Sequence, residues 1–67
     1  MNVVYDPEAD LLRILFSSAR IEESDEDKSG GIIDYDQAGN IVSMEIPSAS
    51  KHMETPRSVE VEYASTS

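Results

Sequence analysis

Residues 34–45, DYDQAGNIVSME, have most of the ligand spacing of an EF-hand calcium loop. The aspartates at the first and third positions, the glycine at the sixth and the glutamate at the twelfth fit that pattern. The fifth position is Ala38, which has no side-chain oxygen to offer a cation. An EF-hand also needs a helix on each side, whereas two glycines lie just before this segment and Pro47 closely follows it. A β-hairpin turn accounts for the same residues, and we interpret the segment in that way.

Four aspartates near two predicted turns are the remaining candidates for a metal or small-ligand site. Paired carboxylates can perform general acid–base chemistry or hold Mg²⁺ or Ca²⁺. They would meet if both hairpins placed their turns at one end of the sheet; alternatively, each caps the amides of its own turn. The weak metal candidates are Asp6, Asp10, Asp34 and Asp36. Without a His, Lys or Arg placed beside them they form no catalytic pattern, so we predict no catalytic residue, no cofactor and no enzyme.

Length, charge and cysteine content limit the class of protein. The chain has 67 residues, enough for one small domain with a barely sufficient core. It has no cysteine, which favours a reducing, cytoplasmic setting. Its 14 acidic and five basic side chains give a net charge of −9, which argues against direct binding to nucleic acid. No signal peptide is recognisable, and runs such as LLRILF are too short to cross a bilayer, so we expect no membrane association.

The most acidic part of the chain lies within residues 22–31, which we predict to be a mobile acidic loop. Two interpretations stay open: a solvated, self-repelling loop, or a docking surface for a basic protein partner. A docking surface of this kind would speed association and weaken with salt. The candidate partner-binding residues are Glu22, Glu23, Asp25, Glu26 and Asp27.

An internal repeat relates residues 5–14, YDPEADLLRI, to residues 35–44, YDQAGNIVSM, thirty positions later. Each copy places a Tyr-Asp pair and a turn before alternating apolar residues. Period two with one apolar face is typical of a half-buried antiparallel sheet. The predicted core residues are Val3, Tyr5, Leu12, Ile14, Phe16, Ile33, Tyr35, Val42, Met44 and Ile46.

The repeat predicts a mainly β fold, a small antiparallel meander of two similar β-hairpins with four strands. A short helical turn is expected near residues 48–54, and the alternation over 58–63 predicts a fifth strand. Residues 1–64 would form a single small β domain, with 65–67 as a frayed C-terminus. The predicted turn residues are Asp6, Pro7, Asp10, Asp36, Gly39 and Asn40.

The pattern YDPEAD-x-L-x-I, followed by DYD-x-x-G-x-I-V-x-x-E-I-x-x-AS-K, resembles the small bacterial proteins grouped as domain of unknown function 2283. The resemblance covers about residues 3–51. The segment Leu12-Arg13-Ile14 departs from the pattern, because members more often carry an aromatic residue in an L-Y-I-type strand there. The resemblance implies a small cytoplasmic protein whose genes often lie beside those of a second small family of suspected toxins. It therefore implies an antitoxin-like role.

We expect a non-enzymatic protein-interaction module, the antitoxin-like acidic partner of a small basic protein. The alternative is a weak metal- or small-ligand-binding domain that uses the turn aspartates. A sheet with one apolar face and no long covering helix also leaves surface that a homodimer could bury by face packing.

Overall fold

A computed structural model describes residues 1–55 and Ser58, and these residues form one antiparallel sheet. The mainly β, antiparallel fold predicted from the sequence is confirmed. The predicted strand over 58–63 and the frayed end at 65–67 lie outside the described residues, apart from Ser58. The elements are β1 (Asn2–Asp6), β2 (Leu11–Leu15), β3 (Glu23–Glu26), β4 (Ile32–Tyr35), β5 (Ile41–Pro47) and a 3₁₀ turn (Ala49–Lys51).

The order of strands across the sheet is β1-β2-β5-β4-β3. The strands β3, β4 and β5 follow one another as a meander, and the β1–β2 hairpin is joined to them through the pairing of β2 with β5. The connection over residues 16–22 therefore passes the ends of β5 and β4 on its way to β3. Its main chain donates a hydrogen bond from Phe16 to the carbonyl of Val42 (2.8 Å) and from Glu22 to that of Tyr35 (2.8 Å).

Residues 23–26 form strand β3, which corrects the prediction of a mobile acidic loop over 22–31. Residues 23–26 pair antiparallel with β4, so the described residues form a sheet of five strands, one more than the four strands of the two predicted hairpins. Only residues 27–31 form a turn, in which Gly30 donates to the carbonyl of Asp27 (2.9 Å) and Gly30 takes a φ of 90°. Strand propensity is weak for a sequence such as ESDE, but pairing along a neighbouring strand overrides it.

The thirty-residue repeat in the sequence corresponds to two hairpins whose strands pair through equivalent residues. Val3 pairs with Ile14 in the first hairpin, and thirty residues later Ile33 pairs with Met44 in the second. Ile14 and Met44 also face each other across the β2–β5 pair. An approximate two-fold axis therefore passes between these two residues and exchanges β1 with β4 and β2 with β5. A bulge between Asp34 and Tyr35 interrupts the correspondence near the second turn.

The apolar residues of period two lie on one face of the sheet, which we call the apolar face. Leu12 and Val42 are its buried centre, at 2% and 3% exposed. Ala49, which the sequence did not mark as core, is fully buried where the 3₁₀ turn packs. The prediction that Phe16 lies in the core is wrong. Its side chain is 46% exposed, because β2 ends one residue earlier, at Leu15. The half-buried predicted core residues are Val3, Tyr5, Ile14, Ile33, Tyr35, Met44 and Ile46.

Candidate functional site

The structure does not bring the four candidate aspartates together. Because β2 and β5 are antiparallel, the turn that precedes β2 and the turn that precedes β5 lie at opposite ends of the sheet. Four residues of strand, about 13 Å, separate the level of Leu11 from that of Leu15 along β2. Asp10 lies just beyond the level of Leu11. Asp34 lies at the level of Leu15, because both residues pair with Ser43. Residues 1–55 and Ser58 contain no group of three or more His, Asp or Glu side chains that could hold a metal ion.

Asp6 and Asp36 are engaged with the amides of their own turns. Asp6 Oδ1 accepts hydrogen bonds from the main-chain N–H groups of Glu8 (3.0 Å) and Ala9 (3.3 Å). Asp36 Oδ1 accepts from the main-chain N–H of Asn40 (2.9 Å) and from that of Ala38 (3.0 Å). The Asn40 amide is the main cause that lowers the pKa of Asp36. Asp36 Oδ2 also accepts from the side-chain amide of Asn40 (3.3 Å), so both carboxylate oxygens are engaged within the turn.

Asp10 ties the first hairpin to the 3₁₀ turn. Its φ of 52° is the left-handed conformation that Gly39 takes, with a φ of 86°, in the second turn. The hydroxyl of Ser50 donates to Oδ2 (2.6 Å), and that of Tyr5 donates to Oδ1 (2.8 Å). These two hydrogen bonds, with Ser50 the larger effect, lower the pKa of Asp10. The main-chain N–H of Ala49 also donates to the carbonyl of Asp10 (2.9 Å), so this aspartate has a structural role in holding two segments together.

Asp34 is 3% exposed and joins β3, β4 and β5 through its carboxylate. Ser24 Oγ donates to Oδ1 (2.5 Å), and Ser43 Oγ donates to Oδ2 (2.6 Å). These serines were not singled out from the sequence. The repeat could have located Ser43. Ser43 pairs with Asp34 in the second hairpin, and thirty residues earlier Arg13 pairs with Val4 in the first. Both oxygens of Asp34 are occupied, so it is not available as a cation ligand.

Three of the acidic residues of 22–27, namely Glu22, Glu23 and Asp25, instead line a cleft between the start of β3 and the β4–β5 turn, which we call the acidic cleft. Its volume is about 420 Å³. Tyr35, which was predicted as a core residue, is one of the residues that line it. The lining residues are Glu22, Glu23, Asp25, Tyr35, Asp36, Gln37 and Gly39.

A second cleft of about 400 Å³ borders the other half of β3, and we call it the apolar cleft. It is lined by isoleucines and a methionine of β4 and β5 and by four acidic residues: Ile32, Ile33, Met44, Ile46, Asp25, Glu26, Asp27 and Glu45. Ser29 Oγ donates to the carboxylate of Asp27 (2.9 Å) and is the largest cause that lowers the pKa of this aspartate. Asp25 lines both clefts. The five acidic residues predicted to bind a partner therefore all line one or both of two adjoining clefts along β3.

Two described basic residues, Arg20 and Lys28, lie close to this acidic edge along the chain. Arg20 lies 3.6 Å from Glu22, but its side chain is 89% exposed, so the ion pair is weak. Arg13 Nε lies 3.2 Å from Glu45 Oε1, on β2 and β5 and away from the edge. No lysine or arginine lines either cleft in the residues that the structure describes.

These features define the class: a small single-sheet β protein with one strongly acidic edge. The chain belongs to the family described as Protein of unknown function (DUF2283), whose model matches residues 2–50. The match takes in all five strands and the first two residues of the 3₁₀ turn. No curated protein and no solved structure matches the chain. Within the described residues, no helix has the length and apolar character needed to span a membrane.

Proposed function

We propose that the protein is a non-enzymatic interaction module that binds a small basic protein through the acidic edge of its sheet. The observation that carries the proposal is the placement of five carboxylates, from Glu22 to Asp27, around two adjoining clefts along β3. A solvated loop would scatter these charges, whereas a paired strand fixes their spacing. A surface of one charge sign raises the rate at which an oppositely charged partner associates.

The two clefts favour a partner segment of mixed character. The acidic cleft offers carboxylates and the ring of Tyr35, a combination suited to an arginine or lysine side chain. The apolar cleft offers Ile33, Met44 and Ile46 to an aliphatic or aromatic side chain. The expected partner therefore presents basic residues next to an apolar anchor.

The antitoxin-like part of the proposal rests on the family resemblance and on charge. The resemblance implies a neighbouring gene for a small suspected toxin, and an acidic partner would cover the working surface of such a protein. The proposal places both proteins in the cytoplasm. The alternative use of the turn aspartates as a weak cation site gains no support from their positions, because they lie at both ends of the sheet.

The test is the association of the purified chain with the product of its neighbouring gene, measured by stopped-flow or surface-based kinetics between about 50 and 500 mM salt. We expect a 1:1 complex whose association rate falls steeply with salt. Glu23→Lys should slow association at low salt by about tenfold or more, because it reverses a charge in the acidic cleft.

Glu8→Lys is the matched control. It makes the same change of net charge in the exposed first turn, at the other end of the sheet from Glu23. We expect it to alter the association rate by no more than about twofold. Equal effects of the two variants would show that net charge alone attracts the partner, and the absence of any complex with that partner at low salt would overturn the proposal.

A further inference from the structure

The large apolar side chains that the described residues expose are gathered at one end of the sheet. Of the five, only Val4, in the middle of β1, lies elsewhere. At this end β1, β3 and β5 begin and β2 and β4 finish, because neighbouring strands are antiparallel. We call the other four residues, which are between 44% and 71% exposed, the apolar end: Met1, Phe16, Ile21 and Ile41.

Main-chain pairing places the residues of the apolar end next to one another. Phe16 donates its main-chain N–H to the carbonyl of Val42 (2.8 Å), which directly follows Ile41. Tyr35 pairs with Ile41, and its carbonyl accepts a hydrogen bond (2.8 Å) from the residue that directly follows Ile21. With neighbouring strands about 4.8 Å apart, the row from β2 to the start of β3 extends over about 14 Å.

The apolar end adjoins two clefts. A cleft of about 300 Å³ lies at its β1–β2 side, where Met1 and Phe16 are among the lining residues. The acidic cleft lies at its β3–β4 side, where Glu22 and Tyr35 are among the lining residues. Exposed apolar residues with polar surroundings are typical of protein-interaction sites.

The opposite end of the sheet has a different surface. There the turn after β1 exposes Asp6 and Glu8, while Leu11 and Ile32, the first residues of β2 and β4, are half-buried. Apolar exposure is therefore a property of one end of this sheet and not of its strand ends in general.

We propose that the apolar end is the anchoring site for the basic partner. An apolar loop or terminal segment of the partner packs across Phe16 and Ile41 while its basic residues enter the acidic cleft. This inference rests on the proposed function and adds the contact that holds the complex together after the opposite charges have brought the two proteins into contact.

Charge favours this occupant over a second copy of the chain. Two copies that met at their apolar ends would bring their acidic clefts close together, each with the carboxylates of Glu22, Glu23 and Asp25. Like charges placed against each other across an interface oppose association, whereas a basic partner gains from the same carboxylates.

The apolar end and the acidic cleft should act on different steps of binding. Charges around an interface mainly change the association rate, whereas buried apolar contacts mainly change the dissociation rate. We expect Phe16→Ser to raise the dissociation rate about tenfold and Ile41→Thr about threefold, each leaving the association rate within about twofold. Glu23→Lys should lower the association rate instead.

Val4→Thr is the matched control for Ile41→Thr. Both substitutions keep a β-branched residue in a strand, and Val4 and Ile41 are equally exposed, at 44%. We expect Val4→Thr to change neither rate by more than about twofold. The rates are measured with the immobilised product of the neighbouring gene at about 50 mM salt, on variants whose urea midpoints show that they are folded. A rise in the dissociation rate with Val4→Thr as large as that with Ile41→Thr would overturn the inference.

Methyl resonances of the unsubstituted chain give a second readout that does not depend on the folding of a variant. On addition of the partner those of Ile21 and Ile41 should shift, while those of Val4 should not. If a complex forms but these isoleucines do not shift, or both apolar-end variants dissociate at the unsubstituted rate, the inference is overturned and the acidic-edge proposal stands. Absence of any complex at low salt would overturn both. A dimer of the chain alone that Phe16→Ser dissociates would place a second copy at the apolar end, and this too would overturn the inference.

Discussion

The buried carboxylate of Asp34 fastens β3 to the rest of the sheet, and removing its two hydroxyl donors one at a time tests this role. Ser43 is 1% exposed, whereas Ser24 lies on the exposed edge strand. Water can therefore replace the hydroxyl of Ser24, but it cannot reach the place of Ser43. We expect Ser43→Ala to destabilise the fold more than Ser24→Ala.

The magnitudes follow from the hydrogen bonds to a charged group. Ser43→Ala leaves one buried oxygen of Asp34 without a donor and should lower the free energy of unfolding by about 2–3 kcal/mol, against about 1 kcal/mol for Ser24→Ala. Asp34→Ala removes the buried charge and leaves one buried hydroxyl without an acceptor, at about 2 kcal/mol. Combining Asp34→Ala with Ser43→Ala removes both, so the double variant should cost about 2 kcal/mol, well below the sum of the single changes.

The assay is urea unfolding followed by far-ultraviolet circular dichroism, with thermal unfolding as a check. One kcal/mol corresponds to a change in Tm of roughly 4–8 °C for a domain of this size. Ser18→Ala, an exposed serine outside the strands, is the control and should change stability by less than about 0.5 kcal/mol. Equal costs for Ser24→Ala and Ser43→Ala, or an additive double variant, would refute the role given to Asp34.

Two further predictions concern the turns. Hydrogen bonds in the folded chain lower the pKa of Asp10, Asp27 and Asp36, so the stability they contribute is present above their ordinary pKa of about 3.9 and is lost as the pH falls through the folded-state values. Urea midpoints in salt high enough to screen the net charge should fall below about pH 4, and a midpoint that rises there would contradict this. Gly39→Ala should lower the free energy of unfolding by about 1 kcal/mol or more, because Gly39 has a φ of 86°. Gly31→Ala is the control: Gly31 has no positive φ and only ordinary contacts, so its loss should be less than about 0.5 kcal/mol. Equal losses in the two variants would count against the conformational explanation.

The local features of the fold were predictable because they depend on residues close in the chain. The alternation of apolar residues placed Leu12 and Val42 on the apolar face, where both are buried. The thirty-residue repeat predicted two similar hairpins, and their pairs share one register up to the bulge between Asp34 and Tyr35. Turn chemistry marked Asp36 and Gly39, which form the second turn as a hydrogen-bonded unit. In each case the physical cause acts within one hairpin.

The features that were missed depend on pairing between distant segments. The antiparallel contact of β2 with β5 sets the two turns at opposite ends of the sheet, and nothing within either hairpin encodes that choice. β3 has a loop-like sequence, and it becomes a strand because β4 offers an open edge and Asp34 accepts the hydroxyl of Ser24. The acidic residues were found from composition alone, but their arrangement around two clefts required this strand.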